Sequence, residues 1–171
     1  MQIKFKWAVK CNIPQSYRFL FLGSAFIIAI LDQITKYYAR HNIMLHETKR
    51  VMQFWNWTLN YNQGAAFSFL ADQGEWPKIF FGVIALIVSM SLVYYLLNKM
   101  YSGLSGLALS FILGGAMGNL VDRIVAGKVT DFIQWHYETH YWPAFNVADS
   151  FITVGVTLLI IESIFFARGK E

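Results

Sequence analysis

Four aspartates, Asp32, Asp122, Asp131 and Asp149, stand in or beside apolar stretches of a chain that carries few charges of any kind. An acid near hydrocarbon costs several kcal/mol, about 2.5–3.5 even on a mild insertion scale, so each is a functional candidate by default. Two carboxylates held within a few ångströms cannot both ionise easily. One pKa rises, and the pair presents one acid and one base near neutral pH. Such a pair takes a proton from a trapped water and gives one to an amide, which is peptide hydrolysis without a covalent intermediate. The pKa values then belong to the pair.

Each acid also has a structural reading. Asp32 and Lys36 have the i, i+4 spacing of a helix ion pair. Asp122 adjoins Arg123, with Asn119 one turn earlier, a trio able to tie a helix end to its surroundings. Asp149 follows Asn146 by three positions, a capping arrangement at a helix start. Asp131, between Val129 and Phe132-Ile133, has neither cap nor adjacent cation and is the better catalytic candidate.

Other chemistries fit less well. His136, Glu138 and His140 spell H-Y-E-T-H, with the histidine spacing of a zinc helix but the acid one position late. Gly103-Leu104-Ser105-Gly106 resembles the G-x-S-G of intramembrane serine proteases, yet no histidine lies in an apolar span to activate it. A Ser/Lys pair of Ser68 and Lys36 has nothing to fix its distance, and Lys36 already has Asp32 beside it. Cys11 is the only cysteine, which excludes an intramolecular disulfide and a cysteine-built metal cage. Neither metal nor cofactor is expected.

The elements that must position the acids are membrane helices. The 171 residues are 56% hydrophobic and 14% charged, against roughly 25% charged in a soluble domain. Mean hydropathy is +0.41. A bilayer core needs about 20 apolar helical residues, and four runs meet that length, at about 19–39, 79–97, 104–121 and 149–167. The third is rich in small residues (Gly106, Gly114, Gly115, Gly118) that let helices approach closely. The expectation is a single membrane domain over 1–171, mainly α, with outer segments at about 40–78 and 122–148. No repeat period or low-complexity stretch appears.

Lys4, Lys6, Lys10 and Arg18 precede the first run without an intervening acid, which places both termini in the cytoplasm. Lys99, Arg168 and Lys170 agree. With that placement the net charge of +4 speaks of orientation and not of a nucleic-acid partner. Asp32 and Lys36, standing where a cleavage site would be, mark the first run as a retained span and not a cleaved signal. Asp32, Asp122, Asp131 and Asp149 then meet at the outer surface, whereas Glu162 lies about 20 Å inward of Asp149 at 1.5 Å per residue.

Trp55 to Asn62 alternates strictly, with Trp55, Trp57, Leu59 and Tyr61 on one side and Asn56, Thr58, Asn60 and Asn62 on the other, so an outer β-strand is predicted there. Trp135, Tyr137, Tyr141 and Trp142 suggest an aromatic-rich loop or helix at the interface.

As a set these residues resemble the bacterial lipoprotein signal peptidases, the type II signal peptidases. Asp32-Gln33-Ile34-Thr35-Lys36 is similar to the family's D-Q-x-T/S-K, and Asn62-Gln63-Gly64-Ala65-Ala66-Phe67 to N-x-G-x-A-F. Gly115 to Arg123 is similar to G-x-x-G-N-x-x-D-R, Val129-Thr130-Asp131-Phe132 to V-x-D-F, and Phe145-Asn146-Val147-Ala148-Asp149 to F-N-x-A-D. No motif position departs from the pattern. The segment from Gln134 to Ala144 matches none of the family's strings.

The resemblance implies an aspartic endopeptidase of the bacterial inner membrane with Asp131 and Asp149 as the catalytic pair. Asn62, Asn119, Arg123 and Asn146 would line the site, and Asp32, Lys36 and Asp122 would support its shape. The implied substrate is a diacylglyceryl-modified prolipoprotein, cut just before its lipidated cysteine, with membrane lipid as the other partner. Separately from the resemblance, a monomer is expected. Read without the resemblance, a small transporter or a non-catalytic lipid-binding subunit would also carry membrane acids and aromatics.

Overall fold

The computed structural model describes residues 14–64, 76–99 and 101–166. Cys11, Lys4, Lys6, Lys10, Arg168 and Lys170 lie outside the described residues, as do Ala65, Ala66, Phe67 and Ser68.

Among the described residues four helices are long and apolar enough to cross a membrane. Helix α1 runs Gln15–Asn42, α2 Trp76–Asn98, α3 Gly103–Ala126 and α4 Val147–Phe166. Strands β1 (Thr48–Met52), β2 (Trp55–Asn62), β3 (Val129–Tyr137) and β4 (His140–Tyr141) form an antiparallel sheet in sequence order. The chain is thus a mainly α integral membrane protein with a small sheet.

The helices overrun the apolar stretches in ways that matter for the site. The 28 residues of α1 span about 42 Å, more than the roughly 30 Å hydrocarbon core, so its last turns carry polar residues beyond it. Helix α3 starts at Ser102, whose hydroxyl accepts from the Ser105 N–H at 3.0 Å. It continues past 121 until Gly127, in the left-handed region at φ 68°, donates its N–H to the Arg123 carbonyl. Asp122 and Arg123 therefore lie in the last turns of α3, beyond the apolar run read as 104–121.

Helix α3 packs against each of the other three. The close approach depends on missing side chains: a Cβ at Gly118 would stand 2.5 Å from the Asp32 carboxylate, and one at Gly115 would strike the Ala148 carbonyl. Exposed helix faces carry Phe26, Ile27, Ile87 and Ile164, as suits a lipid-facing surface. At one end of the bundle Ala25, Leu96, Tyr101 and Leu113 form a core. There Glu162 accepts from the hydroxyls of Ser102 and Ser105, joining α4 to the start of α3. Ser105 thus serves in a helix contact at the end away from the aspartates.

At the other end the sheet packs on α1 through Leu59, Phe132, Ala39 and Ile43. Strand β2 has the bounds that the alternation predicts, but its sidedness changes midway. Trp57 opposes Ile133 while Asn60 opposes Asp131, so Thr58 and Leu59 share one position against Phe132. This bulge buries both of them and turns Asn60 and Asn62 onto the face that carries Asp131, where unbroken alternation would put them on the far side. The aromatic segment expected as loop or helix is instead β3 and a hairpin to β4, with Trp135, Tyr137, Tyr141 and Trp142 exposed. His136 and His140 stand on two strands rather than on one helix turn, and no group of three His, Cys, Asp or Glu able to hold a metal occurs among the described residues.

Candidate active site

Asp131 lies on β3 and is 4% exposed. Asp149 lies in the first turn of α4 and is half-buried. Asn146 joins them. Wholly buried, it donates from Nδ2 to Asp131 Oδ1 at 2.7 Å, while its Oδ1 accepts from the Asp149 N–H at 2.9 Å. Its own N–H points back to Asp149 Oδ2 at 3.3 Å, so the cap expected from the spacing is reciprocal. One asparagine thus starts α4, shapes the loop before it and fixes both carboxylates.

Asn119 of α3 holds the pair from the other side. Its Nδ2 donates to Asp149 Oδ1 at 2.8 Å, and its Oδ1 accepts from Lys36 Nζ at 2.8 Å and from Asn146 Nδ2 at 3.3 Å. The Asp149 carboxylate therefore faces two N–H donors in the first turn of α4. Asn62, brought onto this face by the bulge, hydrogen-bonds Asp131. Burial first, and the Asp149 charge second, push the Asp131 carboxyl up to about 7 against the hydrogen bonds from Asn146 and Asn62. The two acids thus sit in unlike surroundings, the arrangement that separates an acid from a base.

Beneath them lies a buried charge cluster. Lys36, fully buried, pairs with Asp32 at 2.7 Å and Asp122 at 3.3 Å. Asp32 also accepts from the Ala148 N–H at 2.9 Å, tying α1 to the first turn of α4. With its ammonium committed to three acceptors, Lys36 is not placed to activate a serine.

Arg123 donates to the Asn119 carbonyl at 3.3 Å and lies within electrostatic reach of Asp149, Asp131 and Asp122. It also lines a cavity of about 490 Å³ between α2 and α3, whose other walls include Ile79, Val83 and Leu120. A second, apolar cavity of about 700 Å³ lies between α1 and α3, lined by residues such as Ile30, Tyr37 and Val121.

Three residues outside the predicted site set complete this assembly, of which Gln33 stands in the D-Q-x-T/S-K string. Gln33 donates to the Gly118 carbonyl at 2.9 Å and to Asp122 at 3.2 Å, Arg40 donates to Thr130, and the Thr130 N–H donates to Asp122 Oδ2 at 2.8 Å. Arg40 stands one turn beyond Lys36 on the same helix face, and that spacing was the available clue.

The chain is similar to solved structures and to proteins of known name. It matches a bacterial membrane enzyme structure obtained by the in meso method at 2.3 Å resolution, with TM-score 0.77 and 32% identity over 91% of this chain and 92% of that one. A second bacterial membrane enzyme structure, at 1.9 Å, gives TM-score 0.75 and 33% identity over 88% of this chain and 94% of that one. The lipoprotein signal peptidase of Cellvibrio japonicus is 47% identical over 152 residues, 88% of this chain and 89% of that protein. That of Teredinibacter turnerae is 44% identical over 144 residues, 84% and 86% of the two chains. The family described as signal peptidase (SPase) II matches residues 24–165. With that match spanning most of the chain, and with relatives this similar over nearly their whole length, the protein belongs to the signal peptidase II family of membrane proteases.

Proposed function

We propose that Asp131 and Asp149 are the catalytic pair of an endopeptidase that removes the signal peptide from diacylglyceryl-modified prolipoproteins, cutting just before the lipidated cysteine. The carrying observation is that Asn146 bonds both acids while their surroundings differ, Asp131 buried and Asp149 clamped by N–H donors. In this reading Asp149 takes a proton from the attacking water, and protonated Asp131 supplies one to the scissile amide. Asn62, Asn119 and Asn146 hold the carboxylates, and Arg123 borders the space that the substrate enters. Asp32, Lys36 and Asp122 keep the helices in place. The reaction draws on no metal or cofactor, the enzyme works as a monomer, and nucleic acid has no part in it.

The sheet end is the periplasmic face of the inner membrane. Arg18 and Lys99 flank the opposite end of the bundle, and Lys4, Lys6 and Lys10 precede Arg18 in the sequence, a basic cluster that supports a cytoplasmic location for that end. The exposed aromatics of β3 and β4 then lie at headgroup level, and a lipid-anchored peptide reaches the carboxylates from within the bilayer. Apolar space beside Arg123 suits acyl chains, whose burial contributes about 0.8 kcal/mol per CH₂.

Purified protein in lipid is expected to cleave a diacylglyceryl-modified prolipoprotein and leave its unmodified form intact, with mass spectrometry placing the new N-terminus at the lipidated cysteine. Equal cleavage of both forms would remove lipid recognition from the proposal. No cleavage of either, beside an active family member, would favour a non-catalytic role.

The protonation of Asp131 predicts a pH dependence as well. The pair works with one proton, so kcat should fall above about pH 7, where Asp131 loses it. A kcat still rising between pH 7 and 9 would exclude Asp131 as the acid.

A further inference from the structure

We infer that Arg40, through Thr130, is a positioning residue that holds the strand carrying Asp131 from behind. The inference rests on the assignment of Asp131 to catalysis made above. Strand β3 pairs with β2 along one edge, but β4 covers the other edge only at His136 and Tyr137, and a bridge to Phe145 covers Ile133. At Thr130 no strand among the described residues lies along that second edge. Side chains fill the gap. The Thr130 N–H donates to Asp122 Oδ2 at 2.8 Å, and the Thr130 carbonyl accepts from Asn146 Nδ2 at 3.3 Å. Its hydroxyl accepts from Arg40 NH1 at 3.0 Å.

Successive side chains on a strand point to opposite faces, so the Thr130 hydroxyl lies behind the sheet while Asp131 faces Asn62 and Asn146. Arg40 therefore grips the residue next to the acid from the far side. Neutralising Asp122 is not its distinctive contribution. Asp122 already has Lys36 at 3.3 Å and Gln33 at 3.2 Å, whereas Arg40 approaches it only to 3.5 Å and makes its shorter contact with Thr130. Thr130 is 1% exposed and Arg40 31%, so the bond joins a fixed strand position to the solvent-side end of α1. Small displacements of a reacting group are costly, up to about a hundredfold in rate for 1 Å.

The test is cleavage of the lipidated substrate by wild type, Arg40→Ala, Arg40→Lys, Thr130→Val and the Arg40→Ala/Thr130→Val double variant. Arg40→Ala and Thr130→Val should each lower kcat roughly tenfold with KM within about twofold, a loss of alignment rather than of binding. The double variant should be no worse than either alone, because one link is broken in all three. Arg40→Lys should recover part of the rate. The alkaline limb of kcat should stay where it is in wild type, since the proton is still held by the same acid.

Wild-type kcat in Arg40→Ala, additive losses in the double variant, or an unchanged plateau with a displaced alkaline limb would each overturn the inference. If Arg40→Ala does not fold, Arg40→Lys and Thr130→Val decide alone, and full activity in Thr130→Val overturns it. Wild type that fails to cleave would instead overturn the proposed function, which separates the two failures.

Discussion

Replacing either Asp131 or Asp149 with asparagine is expected to lower kcat for cleavage on the order of 10³-fold, since in the proposed mechanism each change removes one of the two proton-transfer groups. The amide keeps the size of the carboxyl, and the neighbouring Asn146 and Asn119 can reorient their hydrogen bonds, so both variants should fold. Quantitative cleavage kinetics with thermal unfolding of the same preparations would check this. If both variants fold and cleave at rates near wild type, the aspartate mechanism is wrong.

Asp131→Asn carries a further signature in stability. The ordinary carboxyl value of 3.8 rises to about 7 in the folded protein, so between those values the native state holds a proton that the unfolded chain has released. Stability contributed by that proton is complete below 3.8 and is lost as pH rises through about 7. Asparagine cannot ionise. The variant should therefore lose less stability than wild type as pH rises across this window, and parallel unfolding curves would refute the raised value.

The second large effect concerns the charge cluster. Lys36→Met should destabilise the protein by about 3–5 kcal/mol, because it leaves two buried carboxylates without their shared cation. Lys36 sits fully buried at 2.7 Å from Asp32 and 3.3 Å from Asp122. Asp32→Asn added to Lys36→Met should regain part of the loss, since removing both partners of a buried pair costs far less than removing one. Unfolding in detergent across the four combinations would measure the coupling. If Lys36→Met unfolds like wild type, Lys36 is not the keystone of this cluster.

Much of the protein was legible before folding. Apolar runs of bilayer length follow from the cost of exposing backbone polar groups to lipid, so the four spans could be read from composition and length. The reciprocal cap of Asn146 and Asp149 and the ion pair of Asp32 and Lys36 span three or four residues, within one helix turn, so spacing alone announces them. The glycines of α3 signalled close packing in the same way, although not that Gly118 makes room for the Asp32 carboxylate.

What the spacing could not contain are contacts between distant parts of the chain. The β2 bulge exists because Leu59 packs with Phe132 and Ala39, which lie far away in sequence, and it alone turns Asn62 toward Asp131. Gln134 to Ala144 became strand and hairpin because Trp55, Asn56 and Phe145 offered an edge to pair with. Helix α3 carried Asp122 past the end of its apolar run because Lys36, Gln33 and Thr130 give that carboxylate partners. The sequence by itself determined the membrane spans, the local caps and which acids were present. Tertiary structure decided which partners face each acid, and therefore how far the Asp131 carboxyl is pushed up, because burial and a neighbour's charge arise only when α1, α3, α4 and the sheet come together.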